Sequence, residues 1–155
     1  LGYNEYLEAG RSNRQPRMIG CQASGAAPFV SGNPVERPET VATAIRIGQP
    51  QSWDLARAAQ QESQGWFLAF SDEKLLSAQR DVAERDGIFC EPASAVCLAG
   101  VRESIDTGAI PDGSTIVCTL TGHGLKDPDT AIAQSPAPLR VRADSSEVRA
   151  IILAD

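Results

Sequence analysis

The run Ser114-Thr115-Ile116-Val117-Cys118-Thr119-Leu120-Thr121-Gly122-His123-Gly124-Leu125 constrains the chain most. Its first half is apolar and β-branched, with neither proline nor charge. That is the pattern of a strand buried on both faces in a parallel sheet. Such strands belong to α/β domains, where ligands sit beyond the carboxyl ends of the strands. Thr121 stands where this strand should stop. Gly122 and Gly124 flank His123, the only histidine, and let the backbone turn sharply or pass close to a ligand. A bound small molecule is therefore expected beside Thr121. The plainer reading of Thr-Gly-His-Gly is a strand-end turn.

The rest of the chain alternates short strands with helices. Residues 1–10 read as a helix, with Tyr3, Tyr6 and Leu7 on one face and Gly10 suited to the C-cap. Nothing caps the start, and Leu1 is not a methionine, so the chain reads as cut from something longer. Residues 17–23 and 65–70 read as buried strands. Ser24 is a candidate cap for a short helix after the first. Arg11, Arg14 and Arg17 form a basic cluster in a polar loop, which reads as a solvated face. Asp54 to Glu62 has helical spacing, with Trp53, Leu55 and Ala59 toward a core. Ser71 opens the clearest helix: Asp72 and Glu73 suit its dipole, Leu75, Leu76, Gln79, Val82 and Ala83 carry its apolar stripe, and Gly87 ends it.

Two stretches resist a regular period. Residues 39–48 fit neither helix nor strand, and the small Ala42 and Ala44 suit either a backbone against a flat ligand or a packed connector. In residues 88–100 a single acid, Glu91, lies in an otherwise apolar run. A buried carboxylate without a partner is costly, so Glu91 should face a polar cavity or a ligand. Pro92 suits a first helical turn, and the helix should run to Asp106. Pro111-Asp112-Gly113 is a turn signal. Asp127-Pro128-Asp129 stops the chain after the glycine turn. Residues 135–138 resemble a linker, Leu139 to Arg142 alternate like an edge strand, and Asp144 with Glu147 has capping-box spacing.

Composition narrows the class. The 155 residues suffice for one core, and 42% hydrophobic with 22% charged residues places the chain among globular proteins. A net charge of −6 disfavours nucleic acid and anionic membrane as partners. No apolar run is long enough to span a bilayer. The cysteines Cys21, Cys90, Cys97 and Cys118 make no C-x-x-C pair, and with one histidine they give no zinc spacing. They read as reduced, small hydrophobes in a cytosolic protein, with nothing near Cys90 to activate a thiol.

Three stretches together carry a family resemblance: Pro38-Glu39-Thr40-Val41-Ala42-Thr43-Ala44-Ile45-Arg46-Ile47-Gly48, Gly87-Ile88-Phe89-Cys90-Glu91-Pro92-Ala93-Ser94-Ala95, and Leu120-Thr121-Gly122-His123-Gly124-Leu125-Lys126-Asp127-Pro128. They resemble the C-terminal half of threonine synthase, a pyridoxal 5'-phosphate enzyme of the tryptophan-synthase-β class. The resemblance implies part of a three-layer, mostly parallel α/β fold, incomplete at its N-terminus. It assigns residues 1–134 to the cofactor-binding catalytic fold and 135–155 to a tail with a short strand and helix. It implies a lyase that converts O-phospho-L-homoserine and water to L-threonine and phosphate, cytoplasmic and homodimeric when complete. By the same resemblance Thr121 matches the hydroxyl that meets the pyridine nitrogen of the cofactor. Ala44 matches a small residue beside the ring, and Glu91 an acid near its edge. A neutral hydroxyl there leaves the ring nitrogen unprotonated, whereas an aspartate would protonate it.

The family's Schiff-base lysine and its phosphate-cradling loop have no counterpart here. Lys74 and Lys126, the only lysines, lack the surrounding motif. No catalytic residue of the family maps onto the sequence, and the chain alone is expected to be inactive. Two other readings stand beside this one: part of a related lyase such as threonine dehydratase, or a non-enzymatic small-ligand-binding α/β module.

Overall fold

A computed structural model describes residues 2–154. The helix expected at the start is α1 (Gly2–Glu8), closed by Gly10 with φ 65°, while Leu1 lies outside the described residues. The two apolar runs form β1 (Ile19–Ala23) and β2 (Trp66–Phe70), which pair in parallel with Ile19 opposite Trp66 and Ala23 opposite Phe70.

Side chains alternate across this ribbon, as the pleat requires. Cys21, Leu68 and Phe70 turn toward α5 (Pro92–Asp106), which packs against both strands. Gly100 of α5 permits the approach, since a Cβ there would fall 2.3 Å from the Cys21 sulfur. Outside α5 lies α4 (Asp72–Asp86), whose Leu75, Ala78 and Val82 complete the main core with Ala95, Val96 and Ala99. On the other face, Phe67 stacks on Phe29 of α2 (Pro28–Ser31) at 4.5 Å, and Phe29 on Trp53 of α3 (Trp53–Glu62) at 4.8 Å. The Arg57 guanidinium covers all three rings at 5.4 to 5.6 Å, a cation–π arrangement that also donates to the Phe29 carbonyl. The order is helix, parallel sheet, helix, the α/β layering expected from the sequence.

The helix signals read from α4 are present. Ser71 accepts the Lys74 N–H, and Gly87 closes the helix with φ 68°, a left-handed conformation that glycine adopts without strain. Arg11, Arg14 and Arg17 are exposed, as a solvated face requires.

Several expectations are corrected. Residues 114–120 form no strand: no ladder joins them to β1 or β2, Val117 is 82% exposed, and Ile116 is also exposed. A β-branched run becomes a strand only where another strand accepts its backbone bonds, and the described residues supply none. Leu55 points outward at 74% exposure, and Ala59 is exposed too, because α3 turns Trp53 and Arg57 toward the sheet instead. Ser24 caps nothing. Its N–H bonds the Phe70 carbonyl, extending the sheet, while α2 starts at Pro28 after Ala27. In the tail, α7 (Ser145–Ile152) is capped by Asp144, which accepts from the N–H groups of Ser146 and Glu147. Residues 139–142 form no strand, and Glu147 reaches the Arg142 N–H rather than that of Asp144.

Candidate cofactor site

The site lies where the N-terminus of α5 meets the glycine turn. Cys90 and His123 form an isolated antiparallel bridge, the Glu91 N–H donates to the Gly122 carbonyl at 3.0 Å, and the Gly124 N–H to the Phe89 carbonyl at 3.0 Å. This contact is close because both turn glycines lack side chains. A Cβ on Gly122 would lie 2.0 Å from Glu91 Oε1, and one on Gly124 2.4 Å from the Phe89 ring.

Thr121 is exposed, with its hydroxyl 3.2 Å from Ser94 Oγ. Ser94 is 3% exposed and also accepts the Gly122 N–H at 3.0 Å. An alcohol at the surface is thus held from behind by a buried alcohol on the first turn of α5. Glu91 is the residue preceding that turn and is also 3% exposed. Its carboxylate makes no capping hydrogen bond. It meets Lys126 Nζ at 3.5 Å and sits at the positive end of a helix of 15 residues. The polar partner that a buried acid demands is therefore Lys126. Lys74 pairs with Glu103 at 3.0 Å, so both lysines lie against carboxylates.

Ala44 lies in the middle of a 3-10 turn, Thr43–Ile45, and is exposed. Asp127 joins this turn to the site: it is 8% exposed, its Oδ2 accepts from Thr43 Oγ1 at 3.0 Å and its Oδ1 from Thr130 Oγ1 at 3.0 Å. The loop is fixed at its other end by Asp72, which accepts from the Thr40 hydroxyl and the Val41 N–H, while Arg46 Nε donates back to the Thr40 carbonyl. The irregular period of residues 39–48 follows from these bonds. Side chains satisfy the backbone of residues 40–42, and short-range backbone bonds that of the 3-10 turn after it, with no sheet ladder.

A second network steadies Glu91 from below. Gln134 of α6 (Pro128–Gln134) donates to Gln79 Oε1 at 2.9 Å, and Gln79, buried in α4, donates to the Cys90 carbonyl at 2.7 Å. His123 has a local role: its Nδ1 accepts the Leu125 N–H at 3.2 Å at the head of the 3-10 turn Gly124–Lys126, and its ring meets Phe89 edge-on.

The four cysteines are free thiols. Burial, then the neighbouring Cys118 thiol, pushes Cys21 up to about 11. Burial and then Cys118 likewise push Cys97 up to about 12, and burial raises Cys90. Cys21, Cys90 and Cys97 therefore stay protonated at neutral pH and behave as small hydrophobes.

Ser94 and Asp127 were not singled out as site residues by sequence reasoning. No side-chain pattern in the sequence marks Ser94, and Asp127 reads only as part of the run that stops the chain after the glycine turn. The available signal for Ser94 was its place on the first turn after Glu91-Pro92, facing whatever abuts that helix end.

The fold and the site define a class before they define a reaction. Residues 1–122 match the family described as pyridoxal-phosphate dependent enzyme, and the chain belongs to that family. Its cofactor is pyridoxal phosphate. The fold agrees: an L-serine ammonia-lyase from Rhizomucor miehei superposes with TM-score 0.60 over 84% of this chain and 45% of its own, at 18% identity. An O-ureido-L-serine synthase superposes with TM-score 0.64 over 99% of this chain and 43% of its own, at 14% identity.

Within the family the chain is similar to proteins named threonine synthase, as the three stretches suggested. It is 54% identical to that of Mycobacterium leprae over 95% of this chain and 41% of the relative. It is 51% identical to that of Synechocystis over 87% and 35%, and 40% identical to that of Methanocaldococcus jannaschii over 97% and 39%. The chain thus spans about two-fifths of the length of these relatives. No helix among the described residues is long and apolar enough to cross a membrane.

The residues present suit one side of a pyridine ring. Thr121 offers an exposed neutral hydroxyl and Ala44 an exposed methyl-sized surface, while Glu91 is a buried carboxylate at the start of α5.

Proposed function

We propose that this chain forms one wall of the cofactor pocket of a threonine synthase, acting on O-phospho-L-homoserine and water to give L-threonine and phosphate. Thr121 carries the reading: its exposed oxygen, backed by Ser94 at 3.2 Å, is the group we assign to the pyridine nitrogen. As a neutral donor it holds that nitrogen by a hydrogen bond without protonating it. Ala44 leaves room at the ring face, where a larger side chain would intrude. Glu91 stands at the ring edge, beside Lys126 and the α5 N-terminus.

Pyridoxal phosphate, when bound, supplies an electron sink for carbanion chemistry on amino-acid substrates. The lysine that carries it and the loop that cradles its phosphate are assigned to residues preceding this sequence in a longer protein. Residues 1–134 belong to the catalytic fold and 135–155 to a tail. The complete protein is a cytoplasmic homodimer, and this chain by itself is inactive.

The test is an assay of a protein of the relatives' full length that carries this sequence. Phosphate and threonine should appear in equal amounts from O-phospho-L-homoserine, and the chain alone should release neither. Ammonia from L-threonine or L-serine, without phosphate release from the phosphorylated substrate, would instead make the protein a dehydratase.

A further inference from the structure

An alcohol has one proton to give. If Thr121 is to donate to an unprotonated ring nitrogen, its proton must point away from Ser94, and its lone pairs must accept from elsewhere. The hydrogen bonds around Ser94 determine this. Ser94 Oγ already accepts the Gly122 N–H at 3.0 Å, so its own proton seeks an acceptor. Two oxygens are near: Thr121 Oγ1 at 3.2 Å and the Gly122 carbonyl at 3.5 Å. The carbonyl is the more distant, and it is already engaged by the Glu91 N–H at 3.0 Å. Ser94 is 3% exposed, which leaves water little access to it.

We infer that Ser94 is a positioning residue: it donates to Thr121 Oγ1 and so turns the Thr121 proton outward, toward the cofactor nitrogen. The opposite arrangement would aim Thr121 lone pairs at the lone pair of that nitrogen, and would leave the Ser94 proton to the long contact. The chain of donation runs from the Gly122 N–H to Ser94, from Ser94 to Thr121, and from Thr121 outward. Its geometry is set by backbone, because Gly122 follows Thr121 directly and Ser94 sits on the first turn of α5. The inference rests on the reading of Thr121 given above and adds a residue that never touches the ring.

The experiment uses the full-length protein carrying this sequence, loaded with pyridoxal phosphate labelled with nitrogen-15 in the ring. The ring-nitrogen resonance is recorded for wild type, Ser94→Ala and Thr121→Val. Thr121→Val should shift it toward that of an unbonded pyridine. Ser94→Ala should shift it most of the same way and weaken cofactor binding roughly 2- to 10-fold, the equivalent of one hydrogen bond. A merely structural serine would leave the resonance in place.

If Thr121→Val displaces the signal and Ser94→Ala does not, the role of Ser94 is overturned while that of Thr121 stands. If Thr121→Val leaves it unmoved, the reading of Thr121 is overturned and that of Ser94 with it. Should Ser94→Ala fail to fold, Ser94→Cys keeps the shape with a weak donor. It should give a resonance between wild type and Thr121→Val, and a wild-type resonance would overturn the inference.

Discussion

Replacing Gly122 with alanine probes the contact on which the site depends. The new Cβ would stand 2.0 Å from Glu91 Oε1 and 2.3 Å from its Cδ, where ordinary contact begins at 3.4 Å. A carboxylate at the surface would swing aside, but Glu91 is 3% exposed and follows a backbone held by Gln79. Either the acid retreats, stretching its 3.5 Å contact with Lys126, or the turn withdraws and loses the 3.0 Å bonds that join Gly122 to Glu91 and Ser94. Overpacking of this kind costs about 1–3 kcal/mol, and a lost hydrogen bond adds about 1 kcal/mol. The expected destabilisation is therefore about 2–4 kcal/mol.

The same change in a Glu91→Ala background meets no carboxylate. Gly122 does not have positive φ, so alanine there should be neutral or stabilising by about 0.4–1 kcal/mol through the unfolded chain. Urea unfolding of the four proteins of this double-mutant cycle, in the full-length context, should give a coupling energy of about 2–5 kcal/mol. An equal cost of Gly122→Ala in both backgrounds would refute the contact.

Other consequences are as direct. Gly65→Ala would place a Cβ 1.8 Å from the Met18 carbonyl, which is backbone, so it should separate the start of β2 from β1 and cost at least about 3 kcal/mol in the same unfolding experiment. Ser71→Ala removes the cap of α4 and should cost about 1 kcal/mol, with Ser71→Asn restoring most of it. The Cys21 thiol ionises near 9.0 when unfolded and about 11 when folded, so across that window the native state holds the extra proton. Stability from this burial is full below pH 9.0 and is lost as pH rises toward 11, and Cys21→Ala should flatten that part of a stability–pH curve.

Much of this was legible in the sequence, for a local reason. α4 and α5 carry their own start signals at Ser71 and Pro92, and the β1 and β2 runs are short, apolar and bounded. Residues 114–120 have the composition of a strand and form none, because strand formation is not a local property: the ladder must come from another segment. Glu91 was legible as an acid in the wrong company, though its partner Lys126 lies 35 positions away and only the glycine turn brings it near. Thr121 could be located by motif, whereas Ser94 could not, since only the packing of α5 against the turn brings the two hydroxyls together. In the sequence Asp72 reads as a first-turn acid of a helix and Asp127 as part of a chain stop after the glycine turn. They also pin the two ends of the loop that carries Ala44, a role set by tertiary contact.

The most direct measurement is a crystal structure of the full-length protein with pyridoxal phosphate bound. The account predicts Thr121 Oγ1 within about 2.7–3.2 Å of the pyridine nitrogen, with Ser94 Oγ behind it and Ala44 against the ring. A ring nitrogen facing a carboxylate, or one placed beyond hydrogen-bond reach of Thr121, would contradict it.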